Sequence, residues 1–293
     1  MTAAATALTG LKRQRPEWGP WLAVVEEALR DADAPAWDAA VPANAPLAQI
    51  TVPLLAGATL SLEARAVQRL LQRLIRVASR SGTPEMATLR SVVIAEPDGH
   101  TLFRASLCQE SEPIVQAAAV CGADAGALQA VAALVSVPFL RACNRRWPHS
   151  LCPSWVEGYC LLCGAWPAFA ETRGIERNRF FRCGRCGGEW HARPLRCPYC
   201  GTDDHNALVS LVPEDGGLNA VIEGCRSCLG YVKTFTRLQG CPPGAVMLED
   251  LASVHLDVAA IEQGYTRPAG AGYPLDVTLT GKNGARRFFA RKV

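Results

Sequence analysis

From Ser61 to Gly82 the chain reads SLEARAVQRLLQRLIRVASRSG, and Val67, Leu70, Leu71, Leu74, Ile75 and Ala78 recur at helical spacing. This pattern predicts an amphipathic helix with Ser61 as its cap and Gly82 as its stop. Arg65, Arg69, Arg73, Arg76 and Arg80 share the opposite side; a solvated helix face accounts for such a row more readily than an acidic partner does. GPWLAVVEEALRDA predicts another helix, and the stretch from Glu112 to Trp147 predicts two more. The uncharged run from Ala125 to Leu140 is interrupted by Gly126, Gln129 and Pro138 and falls short of the roughly 20 residues that a membrane span needs. A buried helix is therefore expected there, with no membrane span.

The pattern changes near residue 150, where the Pro-containing stretch RWPHSLCPSW marks a boundary. Beyond it, ERNRFFRC and NAVIEGC predict strands that run into cysteine turns, and GYVKTFTRL a strand that leaves one. Helical period returns in VMLEDLASVHLDVAAIEQGY through Leu251, Val254, Val258 and Ile261. Glu249 and Asp250 suit the first turn of that helix, and Gly264 its end.

The cysteines decide what this second half is. Of 13 in the chain, eight fall in four C-x-x-C pairs: Cys160/Cys163, Cys183/Cys186, Cys197/Cys200 and Cys225/Cys228. A C-x-x-C turn delivers two sulfurs to a tetrahedral metal, and a following glycine lets backbone N–H groups approach them. Three pairs carry that glycine, whereas the fourth, CRSCLG, has Leu229 in its place. Taken in order, the pairs enclose gaps of 19 and 24 residues, the first within the usual range for a four-cysteine site and the second about four beyond it, with the short gap between Cys186 and Cys197 as a connector; an interleaved arrangement remains open. A thioredoxin-like redox pair would sit alone in a βαβ unit, which is absent here. Four sulfurs close a site to substrate, and tetrahedral S₄ suits iron and zinc alike.

The fold class expected is α+β: an all-helical domain at 1–150, two tandem rubredoxin-like or zinc-ribbon metal modules within 151–240 (about 159–190 and 195–235), and a C-terminal helix with a basic tail at 241–293. His191 could replace a cysteine ligand, but eight cysteines already suffice. Cys108, Cys121 and Cys143 are expected as buried apolar residues, and Cys152 and Cys241 have no partner at ligand spacing. The formal net charge of +3 gives no bulk electrostatic case for nucleic acid. Arg177, Arg179, Arg182, Arg185, Arg193 and Arg196 lie near aromatics, which keeps a nucleic-acid-binding ribbon as an alternative. No phosphate-loop, dinucleotide or common hydrolase motif is present. The N-terminal stretch has neither a basic start nor an apolar run of signal-peptide length, so a cytoplasmic location and reduced thiols are expected.

YCLLCGAWP, RNRFFRCGRCGGEWHARPLRCPYCG, EGCRSCLGYVKTF and LEDLASVHLDVAAIEQGYTRP resemble, in order and spacing, the formate dehydrogenase accessory proteins of the FdhE type. The resemblance covers about Tyr159 to Pro274. It implies a non-enzymatic cytoplasmic maturation factor that acts on the catalytic subunit of a formate dehydrogenase. It also implies two iron or zinc ions on Cys160, Cys163, Cys183 and Cys186 and on Cys197, Cys200, Cys225 and Cys228. Glu189, Trp190 and His191 on the connector, with Asp250 in the following helix, are the expected partner-facing residues, although Trp190 as a tryptophan is at least as readily a core residue of the ribbon. A rubredoxin-like electron carrier acting on the same client is the other alternative.

Overall fold

A computed structural model describes residues 2–43, 51–80, 83–93, 96–147, 154–213 and 219–281. The first half is built from α1 (Ala3–Gln14), α2 (Gly19–Asp31), α3 (Pro35–Asp38), β1 (Thr59–Leu62), α4 (Ala64–Ala78), α5 (Pro84–Ala87), α6 (Glu96–Cys108), α7 (Glu112–Cys121), α8 (Ala125–Val135) and α9 (Val137–Arg146). The second half holds β2 (Phe169–Arg173), β3 (Asn178–Arg182), β4 (Glu189–His191), β5 (Leu208–Leu211), β6 (Ala220–Cys225) and β7 (Tyr231–Arg237), then α10 (Val246–Ala252), α11 (Val254–Glu262) and β8 (Thr278–Gly281).

Helix α4 buries the six residues its periodicity selects, Val67, Leu70, Leu71, Leu74, Ile75 and Ala78, and packs on α2, α6 and α8. Its arginine row is not uniformly solvated. Arg73 reaches Glu27 at 2.8 Å and Asp31 on α2, while Arg65, Arg69, Arg76 and Arg80 are exposed. Ser61 does not cap this helix. It lies in β1, and Glu63 precedes the first turn without a side-chain bond; Gly82 lies outside the described residues. The apolar stretch after Ala125 forms α8 and α9, which meet at Ser136. Ala125–Arg146 is by length and composition long and apolar enough to cross a membrane, because α9 carries it past Leu140, and 78% of its most apolar window is buried inside the fold.

The strands β2 to β7 form one six-stranded sheet in the order β4-β3-β2-β7-β6-β5. Each half repeats the same plan of cysteine turn, two antiparallel strands, cysteine turn and third strand. The halves join where β2 pairs parallel with β7, from Phe169↔Lys233 to Arg173↔Arg237. The tandem ribbons are thus fused edge to edge. A second, two-stranded sheet pairs β1 with β8 in parallel. It returns the chain's later residues to its helical half, a pairing that no local pattern in either segment predicts.

One cluster of buried side chains runs from Leu8 to Val277 and includes Cys160, Cys163, Cys183 and Cys186. A smaller one, with Phe169, Ile222, Tyr231, Phe235, Leu256 and Ala260, lies between the sheet and the last helices. The expected single helix after Val246 is broken at Ser253, whose hydroxyl bonds back to the Glu249 and Asp250 carbonyls. The break shifts the helical phase. Val246, Leu248, Leu256 and Ala260 face inward, whereas Val258 and Ile261, expected on the apolar side, are exposed.

Candidate metal centres

All four cysteine turns share one backbone pattern. The N–H of the first cysteine donates to the carbonyl five residues on, as in Cys160 to Ala165 (2.8 Å), Cys183 to Gly188 (3.0 Å), Cys197 to Thr202 (2.9 Å) and Cys225 to Gly230 (2.8 Å). The residue after the second cysteine closes the turn with positive φ: 67° at Gly164, 77° at Gly187, 75° at Gly201 and 57° at Leu229. Glycine is the residue for which this conformation carries no steric cost. Leu229 adopts it as well, with its side chain exposed.

The turns converge in sequential order. Cys160, Cys163, Cys183 and Cys186 form one group and Cys197, Cys200, Cys225 and Cys228 a second, the sulfurs of each lying within 4.8 Å of one another. The sulfurs lie 3.6 Å apart in Cys160–Cys186 and Cys163–Cys183, and 3.7 Å apart in Cys197–Cys228 and Cys200–Cys225. A tetrahedron with metal–sulfur bonds of about 2.3 Å has edges of about 3.8 Å, so each set of thiols fits one tetrahedral ion. Both could hold a metal, and the all-sulfur donor set is compatible with iron or zinc.

Their surroundings differ. All four sulfurs of the first group are buried, whereas in the second Cys200 and Cys228 are exposed. Burial drives the Cys160 thiol well above its ordinary value. Hydrogen bonds from Cys160, Cys163 and Cys186 hold Cys183 well below. In the second group burial raises Cys197. At Cys225 burial also acts upward, but N–H donors of Cys228 and Ser227 overcome it and leave the thiol at about 7.

The first group is also tied to the helical half. Leu54 and Leu55 donate to the Leu161 and Leu162 carbonyls at 2.8 and 3.2 Å. Arg185, between the two ligands of the second turn, donates to the Ser106 and Leu107 carbonyls at the end of α6 and to the Ser136 hydroxyl.

The residues expected on a free connector are built into the sheet instead. Glu189, Trp190 and His191 form edge strand β4 against β3. Glu189 accepts from Arg173 at 2.8 Å, and Trp190 is buried with its indole N–H on the Glu157 carbonyl at 2.9 Å. Only His191 is exposed, its ring tilted against Phe180 at 4.6 Å between centroids. Asp250 is likewise engaged, 2.7 Å from Lys233 and 2.8 Å from Arg267. Several of the arginines near aromatics are also used internally. Arg179 pairs with Glu223, Arg182 with Glu171 at 3.1 Å, and Arg185 docks on α6. Cys108, Cys143 and Cys241 are buried, but Cys121 is half-buried, since α7 lies near the surface; Cys152 lies outside the described residues.

Two buried charge networks escaped the sequence reading. Glu171, fully buried, accepts from Arg173, Arg182 and the Cys241 N–H. Lys233, equally buried, meets Asp257 at 2.8 Å and Asp250, with Arg267 and the Tyr231 hydroxyl on the same carboxylates. The signal for the second was a lysine inside the apolar strand YVKTF.

A helical half joined to a sheet that carries two closed four-sulfur sites defines a protein of the α+β ribbon class. No protein-family model matches the chain. In sequence it is similar to the Protein FdhE homologs of Pseudomonas aeruginosa (36% identical over 152 residues, covering 45% of this chain and 47% of that protein) and of Aquifex aeolicus (32% over 118 residues, 39% and 40%). It is also similar to Protein FdhE of Escherichia coli (31% over 114 residues, 37% and 35%). The matched stretch thus spans less than half the length of these curated relatives. Its fold is that of the crystal structure of the FdhE protein from Pseudomonas aeruginosa, with a TM-score of 0.53 at 19% identity over 93% of this chain and 94% of that one. Over the matched stretch the chain is thus similar in sequence to FdhE proteins, and in fold it is like one of them.

Proposed function

We propose that this chain is a cytoplasmic accessory factor in the maturation of a formate dehydrogenase, which it serves by binding the enzyme's catalytic subunit rather than by oxidising formate. The observation that carries this reading is the pair of closed four-sulfur sets on one sheet, in a chain whose relatives are FdhE proteins. On this reading Cys160, Cys163, Cys183 and Cys186 hold one iron or zinc ion and Cys197, Cys200, Cys225 and Cys228 the other. Each ion would supply the cross-link that a ribbon of this size needs in order to fold. An all-sulfur set leaves no position for a substrate water, which favours a structural or presenting role over hydrolysis. Of the partner-facing candidates, His191 is the one whose side chain is free to meet a client. Glu189, Trp190 and Asp250 would act by holding that face in shape.

The test is complementation of a strain that lacks its own accessory protein, with formate dehydrogenase activity assayed in cells. The full chain should restore activity, and variants with Cys163→Ser or Cys225→Ser should not. Affinity capture should recover the catalytic subunit together with two metal ions per chain, and the purified enzyme should remain active without this protein. Full activity in cells carrying either cysteine variant, or capture without the catalytic subunit, would sink the reading.

A further inference from the structure

A guanidinium keeps its charge at any pH a protein meets, so an arginine inside a core needs an anion or a full set of acceptors. Arg182 has Glu171, and Arg179 has Glu223. Arg141 has neither. It is 7% exposed in α9 and gives one hydrogen bond, from Nη1 to the Gly244 carbonyl at 3.1 Å. Its Nε and Nη2 are buried without a partner among the described residues. Asp33, the carboxylate that acts on it most strongly, is itself 75% exposed and paired with Arg145 at 3.3 Å.

The sulfurs of Cys183 and Cys186 are near enough to act on Arg141 when they are thiolates. The chain path explains why. Gly187, which closes the Cys183 turn, packs so tightly on Pro243 that an added Cβ would lie 2.4 Å from the Pro243 carbonyl oxygen. The next residue, Gly244, is the one whose carbonyl holds Arg141. The turn and the guanidinium thus meet adjacent residues of the same short segment. A second cation is set in the same turn: among the described residues Arg185 donates to neutral oxygens, those of Ser106, Leu107 and Ser136.

We propose that Arg141 and Arg185 are the countercharges of the first metal site. This rests on the metal-binding reading above. Four thiolates around a divalent ion carry two negative charges, and two guanidinium groups balance them. Such balance is required where the sulfurs are buried in the main core. In the second site, with Cys200 and Cys228 exposed, water performs that service.

The test uses the full chain with Cys200→Ser and Cys228→Ser, so that only the first site takes up zinc, in competition with a chromophoric chelator. Arg141→Gln, which keeps an amide donor for the Gly244 carbonyl, should weaken zinc binding by about 10-fold to 100-fold. Arg185→Gln should act in the same direction, and Arg141→Lys should stay within about threefold of the parent because it restores charge without the fork. In the iron form, Arg141→Gln should lower the reduction potential, since the more negative ferrous site loses more. Equal affinity in Arg141→Gln and the parent, or Arg141→Lys as weak as Arg141→Gln, would overturn the assignment. If Arg141→Gln does not fold, Arg185→Gln decides by the same two readouts. A parent that binds no zinc at all would instead defeat the metal-binding reading, and this one with it.

Discussion

The two four-cysteine groups are made from the same turn and the same strand plan, yet one is part of the main core and the other is half in water. The first shares its buried cluster with Leu161, Leu162, Trp155 and Trp190, is hydrogen-bonded to residues 54 and 55, and is clamped to α6 through Arg185. The second has two exposed sulfurs and joins the rest of the fold mainly through the β2–β7 pairing and the last helices. The difference teaches that a metal turn is a local device whose consequence depends on what it cross-links. In the first site it joins the sheet to the helical half. In the second it closes one end of the sheet.

The largest effect should come from breaking the sites one at a time. Structural zinc contributes on the order of 10 kcal/mol, comparable with the whole stability of a domain. Cys163→Ser should therefore abolish cooperative thermal unfolding and release the first ion, because it opens the main core. Cys200→Ser should release the second ion but leave a cooperative transition and most of the helical circular dichroism. Native mass spectrometry counts the ions, and melting curves report the core. If Cys200→Ser melts as completely as Cys163→Ser, the asymmetry between the sites is wrong.

Next in size are the charges that fasten the second half to α10 and α11. Lys233 is fully buried against Asp257 and Asp250. Removing one partner of a buried pair strands the other charge, so Asp257→Asn should cost about 3–5 kcal/mol in urea unfolding. Lys233→Met should cost less, since Arg267 still serves both carboxylates. Acid sharpens this. Burial pushes the Asp257 carboxyl up, but the hydrogen bond from Lys233 and the charge of Arg267 outweigh it and hold the group below its ordinary value. A depressed carboxyl contributes fully above the unfolded value, about pH 4, and its contribution is lost as pH falls through the folded value. The stability gap between wild type and Asp257→Asn should be constant above that range and narrow below it. A gap that widens in acid would reverse the sign of this account.

Much of this arrangement was legible in the sequence because it is local. The α4 face, the strands β3, β6 and β7 and the eight cysteines follow from periodicity and spacing that neighbouring residues enforce. What was not legible depends on contacts between distant residues. Strands β1 and β8 are four residues each and are strands only because they find one another. The break at Ser253 is set by a hydroxyl turning back on its own helix, which is invisible to a count of apolar positions. The connector around Trp190 read as free because no metal ligand lies on it; β3 and the Glu157 carbonyl claim it instead. Arg185 read as one of several arginines near aromatics and Arg141 carried no signal, since their lack of acidic partners among the described residues is a fact of three dimensions.

The smallest effect separates the turns themselves. At Gly164 an added Cβ would lie 2.6 Å from the Tyr273 carbonyl oxygen, and at Gly187 2.4 Å from that of Pro243, so both first-site turns need glycine for room as well as for positive φ. At Gly201 the nearest atom would be the Arg196 guanidinium at 3.3 Å, a side chain that can move. The fourth turn has Leu229 with φ 57° and its side chain more than half exposed. Left-handed φ costs a residue with a Cβ about 1–2 kcal/mol, and glycine gives back about 0.4–1 kcal/mol through the freer unfolded chain. Leu229→Gly should therefore stabilise the second site by about 0.5 kcal/mol. Gly187→Ala, by contrast, should destabilise by well over about 1 kcal/mol because the backbone cannot withdraw. Urea midpoints of the two variants test this. A loss of stability in Leu229→Gly would mean that the leucine packs on a surface that matters more than its strain.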